Sequence, residues 1–245
     1  MVMKGSPAVT ENRQRVSVII VTFNAAAHLQ NCLDSIYRQT YADIEIVIID
    51  GKSTDGTIGI IESNAGKIHF WLSEQDEGIY DAMNKGVKRA TGDWLYFLGA
   101  DDELLPGFSA MVAELKDPSA IYYGNVFAEG AKRNGFLSKY RFAKIGLYHQ
   151  AMIFPKAVFK KYKYDTRYKI SADYALTLKL YGDKNFHFVY IDHTLANFNH
   201  EGISGISIDA PFQKAKPLMV LKYFGPVIWA RYIVFRLKHQ DNPRR

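Results

Sequence analysis

A chain of 245 residues that is 48% hydrophobic and 23% charged has the composition of a folded globular protein, long enough for one large core. Its single cysteine, Cys32, excludes an intrachain disulfide framework and a cysteine-based metal site, so a reducing compartment, the cytoplasm, is expected. The net charge of +6 admits nucleic acid, anionic lipid or a phosphorylated substrate as partner; much of it lies in 132–169 and in 214–245, where it is interleaved with large apolar residues.

Residues 1–15 are polar and read as a flexible N-terminus, not a signal peptide. The run VSVIIVTF at 16–23 predicts a buried strand, and Leu29, Cys32, Leu33, Ile36 and Tyr37 recur at helical spacing after it. Ile44 to Ile49 predicts a second strand, closed by Asp50. The turn Lys52 to Gly56 follows, with Ser53 or Thr54 placed to cap the next helix. A third strand is expected over 68–72, then a polar loop from Ser73 to Gly78. The helix through Ile79, Met83 and Val87 ends at Thr91-Gly92. Trp94 to Leu98 is apolar throughout, breaks at Gly99-Ala100, and delivers Asp101 and Asp102 at its end. This β-α-β-α-β-α-β order predicts an α/β fold: a Rossmann-like, mostly parallel central sheet with helices on both faces.

Beyond residue 118 the rhythm loosens. Strands are expected over 120–127 and 135–142, helices over 155–162 and 173–181, and a short strand over 186–191. The stretch 211–238 reads as two short C-terminal amphipathic helices broken at Gly225-Pro226. Lys222, Pro226, Arg231 and Arg236 interrupt it too often for a bilayer span, while Trp229 and its tyrosines suit a headgroup layer. The alternative is a helix pair packed on the protein or on a second subunit of a homodimer.

Each βα loop of the first half carries polar groups at the carboxyl end of its strand, where open α/β sheets bind ligands. They are Thr22-Phe23-Asn24; Asp50 with Lys52, Ser53 and Asp55; Asp76 to Gly78; and Asp101-Asp102. Two adjacent carboxylates suit Mg²⁺ or Mn²⁺ arriving with a substrate's phosphates, whereas their bland role is to begin the following helix. The first loop carries neither a dinucleotide glycine fingerprint nor a P-loop, which argues against NAD and against a P-loop nucleotide site. Asp50 could simply form a turn, Asp173 cap a helix, and Asp81 and Lys85 make an i,i+4 ion pair.

Five segments taken together resemble glycosyltransferase family 2: VSVIIVTFN at 16–24, IIDGKSTDGT at 48–57, DEGIYDAMNKG at 76–86, ATGDWLYFLGADD at 90–102 and ISADY at 170–174. The resemblance implies the GT-A fold and an inverting transfer from a nucleotide-sugar, such as a UDP-sugar, as in transferases that build bacterial surface polysaccharides. It implies a GT-A domain over 16–205, with a nucleotide-binding half at 16–118 and an acceptor-facing half at 119–205, followed by a basic tail at 206–245. Thr22, Phe23, Asn24, Asp50, Lys52 and Ser53 would hold the nucleotide, with Asp50 on the uracil. Asp76, Gly78, Asp81, Asn84 and Lys85 would reach the nucleotide or donor sugar. Ala100, Asp101 and Asp102 stand at the ribose- and metal-binding motif, and Asp173 stands where the family has its catalytic base. His200, in HEGIS at 200–204, would touch metal or phosphate, and His149 and Gln150 the acceptor or donor sugar.

Three positions depart from the family pattern: Gly51 replaces a second acid after Asp50, Gly99 replaces the first acid of the metal motif, and Ala172 replaces the Glu before the base. The absence of a Q-x-x-R-W motif argues against a processive synthase. The expected cofactor is Mn²⁺ or Mg²⁺. The expected partners are a nucleotide-sugar, a glycan or polyprenyl-linked acceptor and the inner face of the cell membrane, but not nucleic acid. Two rival readings are a sugar nucleotidyltransferase, whose glycine- and Arg/Lys-rich first loop is missing here, and a non-catalytic relic that holds nucleotide or lipid.

Overall fold

The computed structural model describes residues 14–199 and 208–239. Strands β1 (Val16–Thr22), β2 (Ile44–Asp50), β3 (Phe70–Ser73) and β4 (Trp94–Gly99) run parallel in the order β3-β2-β1-β4. Helices α1 (Leu29–Tyr37), α2 (Thr57–Ser63) and α3 (Ile79–Arg89) connect them. Every residue of β1 is buried, which a strand achieves only with a helical layer on each face. Its side chains alternate between two cores: Val18 and Ile20 share one with Leu29, Leu33 and Ile36 of α1, Ile19 and Val21 the other with Tyr80, Ala82 and Met83 of α3. α3 sits so close to the sheet that a Cβ on Gly86 would lie 2.5 Å from Ile19 Cγ2.

The chain continues through β5 (Glu103–Leu104), α4 (Gly107–Ala113), β6 (Ala120–Ala128), β7 (Ala131–Arg133) and α5 (Lys139–Ile145). A 3-10 turn (His149–Ala151), β8 (Met152–Pro155), α6 (Lys156–Lys161), α7 (Ala172–Tyr181) and β9 (His187–Asn197) follow, then α8 (Ala210–Phe224) and α9 (Pro226–Lys238). The sheet extends as β4-β8-β6-β9-β5, with β7 on β6. The parallel order holds for β1–β4 and for β6 beside β9; β8 runs antiparallel to both β4 and β6. The sequence order reverses between β1 and β4, and at such a switch point open α/β sheets bind ligands outside the carboxyl ends of the strands.

Several expectations are corrected. Residues 139–145 form a helix instead of continuing a strand. Ser138 accepts from Arg141 N at its start and Gly146 ends it at φ 72°, and these caps outweigh the aromatic content that suggested a strand. β8 and β5 were not anticipated: the first is four residues long, and the second exists only because Glu103 and Leu104 pair with Asn197 and Ala196 far along the chain. Helix α2 is capped by neither Ser53 nor Thr54; it begins at Thr57, whose N–H donates to Asp55 Oδ1.

The tail helices pack on the protein through one face. Phe212, Val220, Phe224 and Tyr232 are buried in the core that also holds α7. Lys216 is buried with them, its Nζ donating to Lys144 O at 2.9 Å and lying 4.4 Å from the Tyr174 ring centroid. Burial pushes its pKa down to about 7.

Candidate active site

The ends of β1 and β2 are held in register, Thr22 beside Asp50, and Gly51 N donates to Thr22 O at 2.8 Å. Asp50 is wholly buried. Its carboxylate accepts from Ser53 N at 2.9 Å, from the Ser53 hydroxyl and from Ser73 Oγ at 2.6 Å. Asn24, at φ 50°, links the two loops: its N–H donates to Ser53 Oγ and its side-chain oxygen accepts from Thr54 N. Lys52 also takes a left-handed backbone, at φ 67°. Among the described residues the buried Thr22 Oγ1 has no hydrogen-bond partner, and Phe23 is 66% exposed beside it. A buried hydroxyl left over and an uncovered aromatic ring at one strand end are the features a nucleoside would complete.

The β3–α3 loop closes on the same edge. Asp76 Oδ1 accepts from Gly78 N at 2.8 Å, and Asp76 Oδ2 lies 2.7 Å from where a Cβ on Gly51 would stand. A side chain at 51 would require the Asp76 carboxylate to shift, so the glycine lets that acid lie against the end of β2. Lys85 braces this loop, bonding Glu74 at 2.9 Å, Asp81 at 3.2 Å and Gln75 O at 3.0 Å, so it is more than an isolated surface pair. Asn84 points its amide elsewhere: Nδ2 donates to Tyr164 O and Oδ1 accepts from Tyr164 N, both at 3.0 Å.

At the end of β4 the two acids differ. Asp102 is buried; Oδ1 accepts from Asn199 N at 2.9 Å, and Oδ2 accepts from Gly99 N at 3.2 Å and from Gln150 Nε2 at 2.7 Å. Burial pushes its pKa up to about 6 against those hydrogen bonds. Asp101 is half-buried, and no hydrogen bond or ion pair reaches its carboxylate among the described residues. A Cβ on Gly99 would stand 2.6 Å from Asp102 Oδ2 and 2.9 Å from Asp101 Oδ1, so both carboxylates fold into the space a residue with a side chain would take. Ala100 is buried, and the Cys32 thiol lies 3.5 Å from Gly99 O. Among the described residues no three acidic, histidine or cysteine side chains form a metal site by themselves. A donor set of one open carboxylate with a second beside it fits an ion that completes its shell on a diphosphate.

Asp173 is the second residue of α7, so it is not the cap of that helix; Ser171 occupies that position. Asp173 Oδ1 accepts from the Tyr80 hydroxyl at 2.7 Å, which brings α7 against the first turn of α3 and the Asp76 loop. Lys169 Nζ donates to Glu77 O at 2.8 Å and ties the same two segments. Ala172 is wholly buried in the core, where a carboxylate would lose its water. His149 is turned inward, stacked on Phe97 at 4.9 Å and with Nε2 2.8 Å from Tyr164 Oη; burial lowers its pKa, opposed by the charge of Asp173. The sugar-facing role expected of His149 is therefore corrected to a core contact, while its neighbour Gln150 reaches Asp102. His200 lies outside the described residues. Tyr80, Ser73 and Asn199 bond the candidate residues Asp173, Asp50 and Asp102, contacts that the sequence did not announce; Tyr80 is masked by the apolar period of its helix.

A model of glycosyl transferase family 2 matches residues 17–186. The chain belongs to glycosyl transferase family 2. A PGL/p-HBAD biosynthesis glycosyltransferase of Mycobacterium bovis is 36% identical over 215 residues, covering 82% of this chain and 84% of the relative. A GalNAc(5)-diNAcBac-PP-undecaprenol beta-1,3-glucosyltransferase of Campylobacter jejuni is 32% identical over 130 residues, 51% of this chain and 41% of that one. The fold is that of residues 1–349 of S. aureus TarS, solved in complex with UDP, at TM-score 0.71 and 19% identity over 93% of this chain and 73% of that one. A mannosyltransferase from Pyrobaculum calidifontis, solved with GDP-Man and Mn²⁺, aligns at TM-score 0.64 and 17% identity over 91% of this chain and 69% of that one. The protein is thus a glycosyltransferase with the GT-A fold, and the sugar nucleotidyltransferase reading falls.

Proposed function

We propose that this glycosyltransferase moves a sugar, with inversion, from a UDP-sugar to a hydroxyl of a glycan or lipid-linked acceptor in bacterial polysaccharide or glycolipid assembly. The observation that carries this reading is the tie between Asp173 and the start of α3, which joins one acid to the edge where Asp50, Asp76 and Asp101 gather. In the transfer, bonding at the anomeric carbon passes from the diphosphate oxygen to the acceptor oxygen. Asp173 takes the acceptor's proton as that oxygen attacks, and attack on the face opposite the leaving group inverts the centre. Thr22, Phe23, Asn24 and the Asp50–Ser53 pair hold the nucleoside, and Asp76, Gly78, Asp81 and Lys85 border the donor sugar. Asp101, with Asp102 beside it, would hold a divalent ion that offsets the charge growing on the departing diphosphate. A uridine donor is favoured by the UDP-bound neighbour of similar fold and by the resemblance in sequence. UDP with Mn²⁺ is expected to raise the melting temperature more than GDP with Mn²⁺ or either nucleotide with a chelator. Equal shifts for both nucleotides would overturn the uridine assignment, and no dependence on Mn²⁺ the metal.

The same reading places the enzyme at the inner face of a membrane. No helix of the described residues is long and apolar enough to cross one. The outward side of α9 is nonetheless apolar, with Val227, Val234 and Leu237 each at least half exposed beside the exposed Arg231 and Lys238. Leu218 and Lys222 continue this character on α8. Such a face suits an anionic lipid surface and would bring the site to a lipid-linked acceptor. Changing Val227, Val234 and Leu237 to Ser is expected to release the protein from vesicles containing phosphatidylglycerol, measured by sedimentation; undiminished binding would rule this face out.

A further inference from the structure

The Tyr80 hydroxyl lies between two acceptors. Its oxygen is 2.7 Å from Asp173 Oδ1 and 2.6 Å from Ile170 O, and the residue is buried, with its ring 5.5 Å from that of Tyr164. The backbone it grips is fixed from the other side as well. The buried carboxylate of Asp209, at the start of α8, accepts from Ile170 N at 2.9 Å and from Ser171 N at 3.0 Å. The hydroxyl therefore has a rigid anchor at Ile170 and a functional neighbour at Asp173. Among the described residues no hydrogen bond or ion pair reaches Asp173 Oδ2.

We infer that Tyr80 is a positioning residue for the base: by holding Asp173 Oδ1 it fixes the carboxylate's orientation and leaves Oδ2 as the oxygen that receives the acceptor's proton. This rests on the assignment of Asp173 under the proposed function. As the new glycosidic bond forms, the acceptor O–H breaks and its proton bonds to Oδ2, while Oδ1 still accepts from Tyr80. If Tyr80 turns its hydrogen to Ile170 O, the neutral acid is released without leaving the buried hydroxyl unpaired. A carboxylate free to rotate would present the wrong oxygen for part of the time, which is a loss in turnover and not in donor binding. The ionisable groups near Asp173 are Tyr80, His149, Tyr164 and Tyr174, all buried or half-buried.

Tyr80→Phe keeps the ring and removes only the hydroxyl. It is expected to lower kcat about 10- to 100-fold, the worth of a hydrogen bond to a charged group, while KM for the nucleotide-sugar and the affinity for UDP change by less than about twofold. In an Asp173→Asn background the same change is expected to cost nothing further. An unchanged kcat, or a KM that rises in step with the loss, would overturn the inference. A fully additive loss in the double variant would show that Tyr80 acts independently of Asp173. Full activity of Asp173→Asn alone would instead remove the base assignment, so the two failures are told apart.

Discussion

Asp173→Asn is expected to lower kcat about 10²- to 10⁴-fold, the range typical of general base catalysis, with UDP affinity and melting temperature close to those of the parent. The amide is nearly the size of the carboxylate and its oxygen still accepts from Tyr80, so the packing of α7 on α3 survives. What it loses, under the proposed mechanism, is the carboxylate basicity needed to take the acceptor's proton. Glycosyl transfer measured under saturating donor, alongside a UDP titration, separates turnover from binding. A fall in UDP affinity as large as the fall in kcat would place Asp173 in the donor site instead.

The second large effect divides the two acids at the end of β4. Asp101→Asn is expected to weaken Mn²⁺-dependent UDP binding by at least about tenfold, the size of loss seen even when an outer-shell partner of a metal ligand is removed, and to leave stability unchanged. Its carboxylate makes no described hydrogen bond, so the fold does not depend on its charge. Asp102→Asn should behave differently. Both oxygens of Asp102 accept from N–H groups, and an amide would turn its own N–H₂ toward one of them. That mismatch is expected to cost about 1–3 kcal/mol in chemical denaturation. If the two variants lose stability and binding alike, the division of labour between Asp101 and Asp102 is wrong.

Two of the three departures from the family pattern share a physical account. Gly51 and Gly99 are positions where a side chain would collide with a carboxylate from another part of the site, Asp76 in one case and Asp101 with Asp102 in the other. Ala172 is sealed in the core behind Asp173. Negative groups thus stand against both glycines at the same edge, supplied by Asp76, Asp101 and Asp102.

The parallel half of the sheet was legible because its signal is local. Strands β1, β2 and β4 each carry a continuous apolar run, VIIV at 18–21, IVII at 46–49 and WLYFL at 94–98, suited to a strand covered on both faces, and the helices between them repeat at 3.6 residues. The polar residues at their carboxyl ends followed directly, since the topology sends every such end to one edge. Other features depend on partners distant in the chain. β5 needs Asn197, α5 needed its caps weighed above its aromatics, and the inward turn of His149 is decided by the Phe97 and Tyr164 rings that receive it. By itself the sequence determined the order of elements in the parallel half, the edge that carries the candidate site and the acids available there. Only the tertiary structure decided which of those acids is left open, since that depends on hydrogen bonds to Asp102 from residues 48 and 97 positions away and on the Tyr80 hydroxyl that meets Asp173.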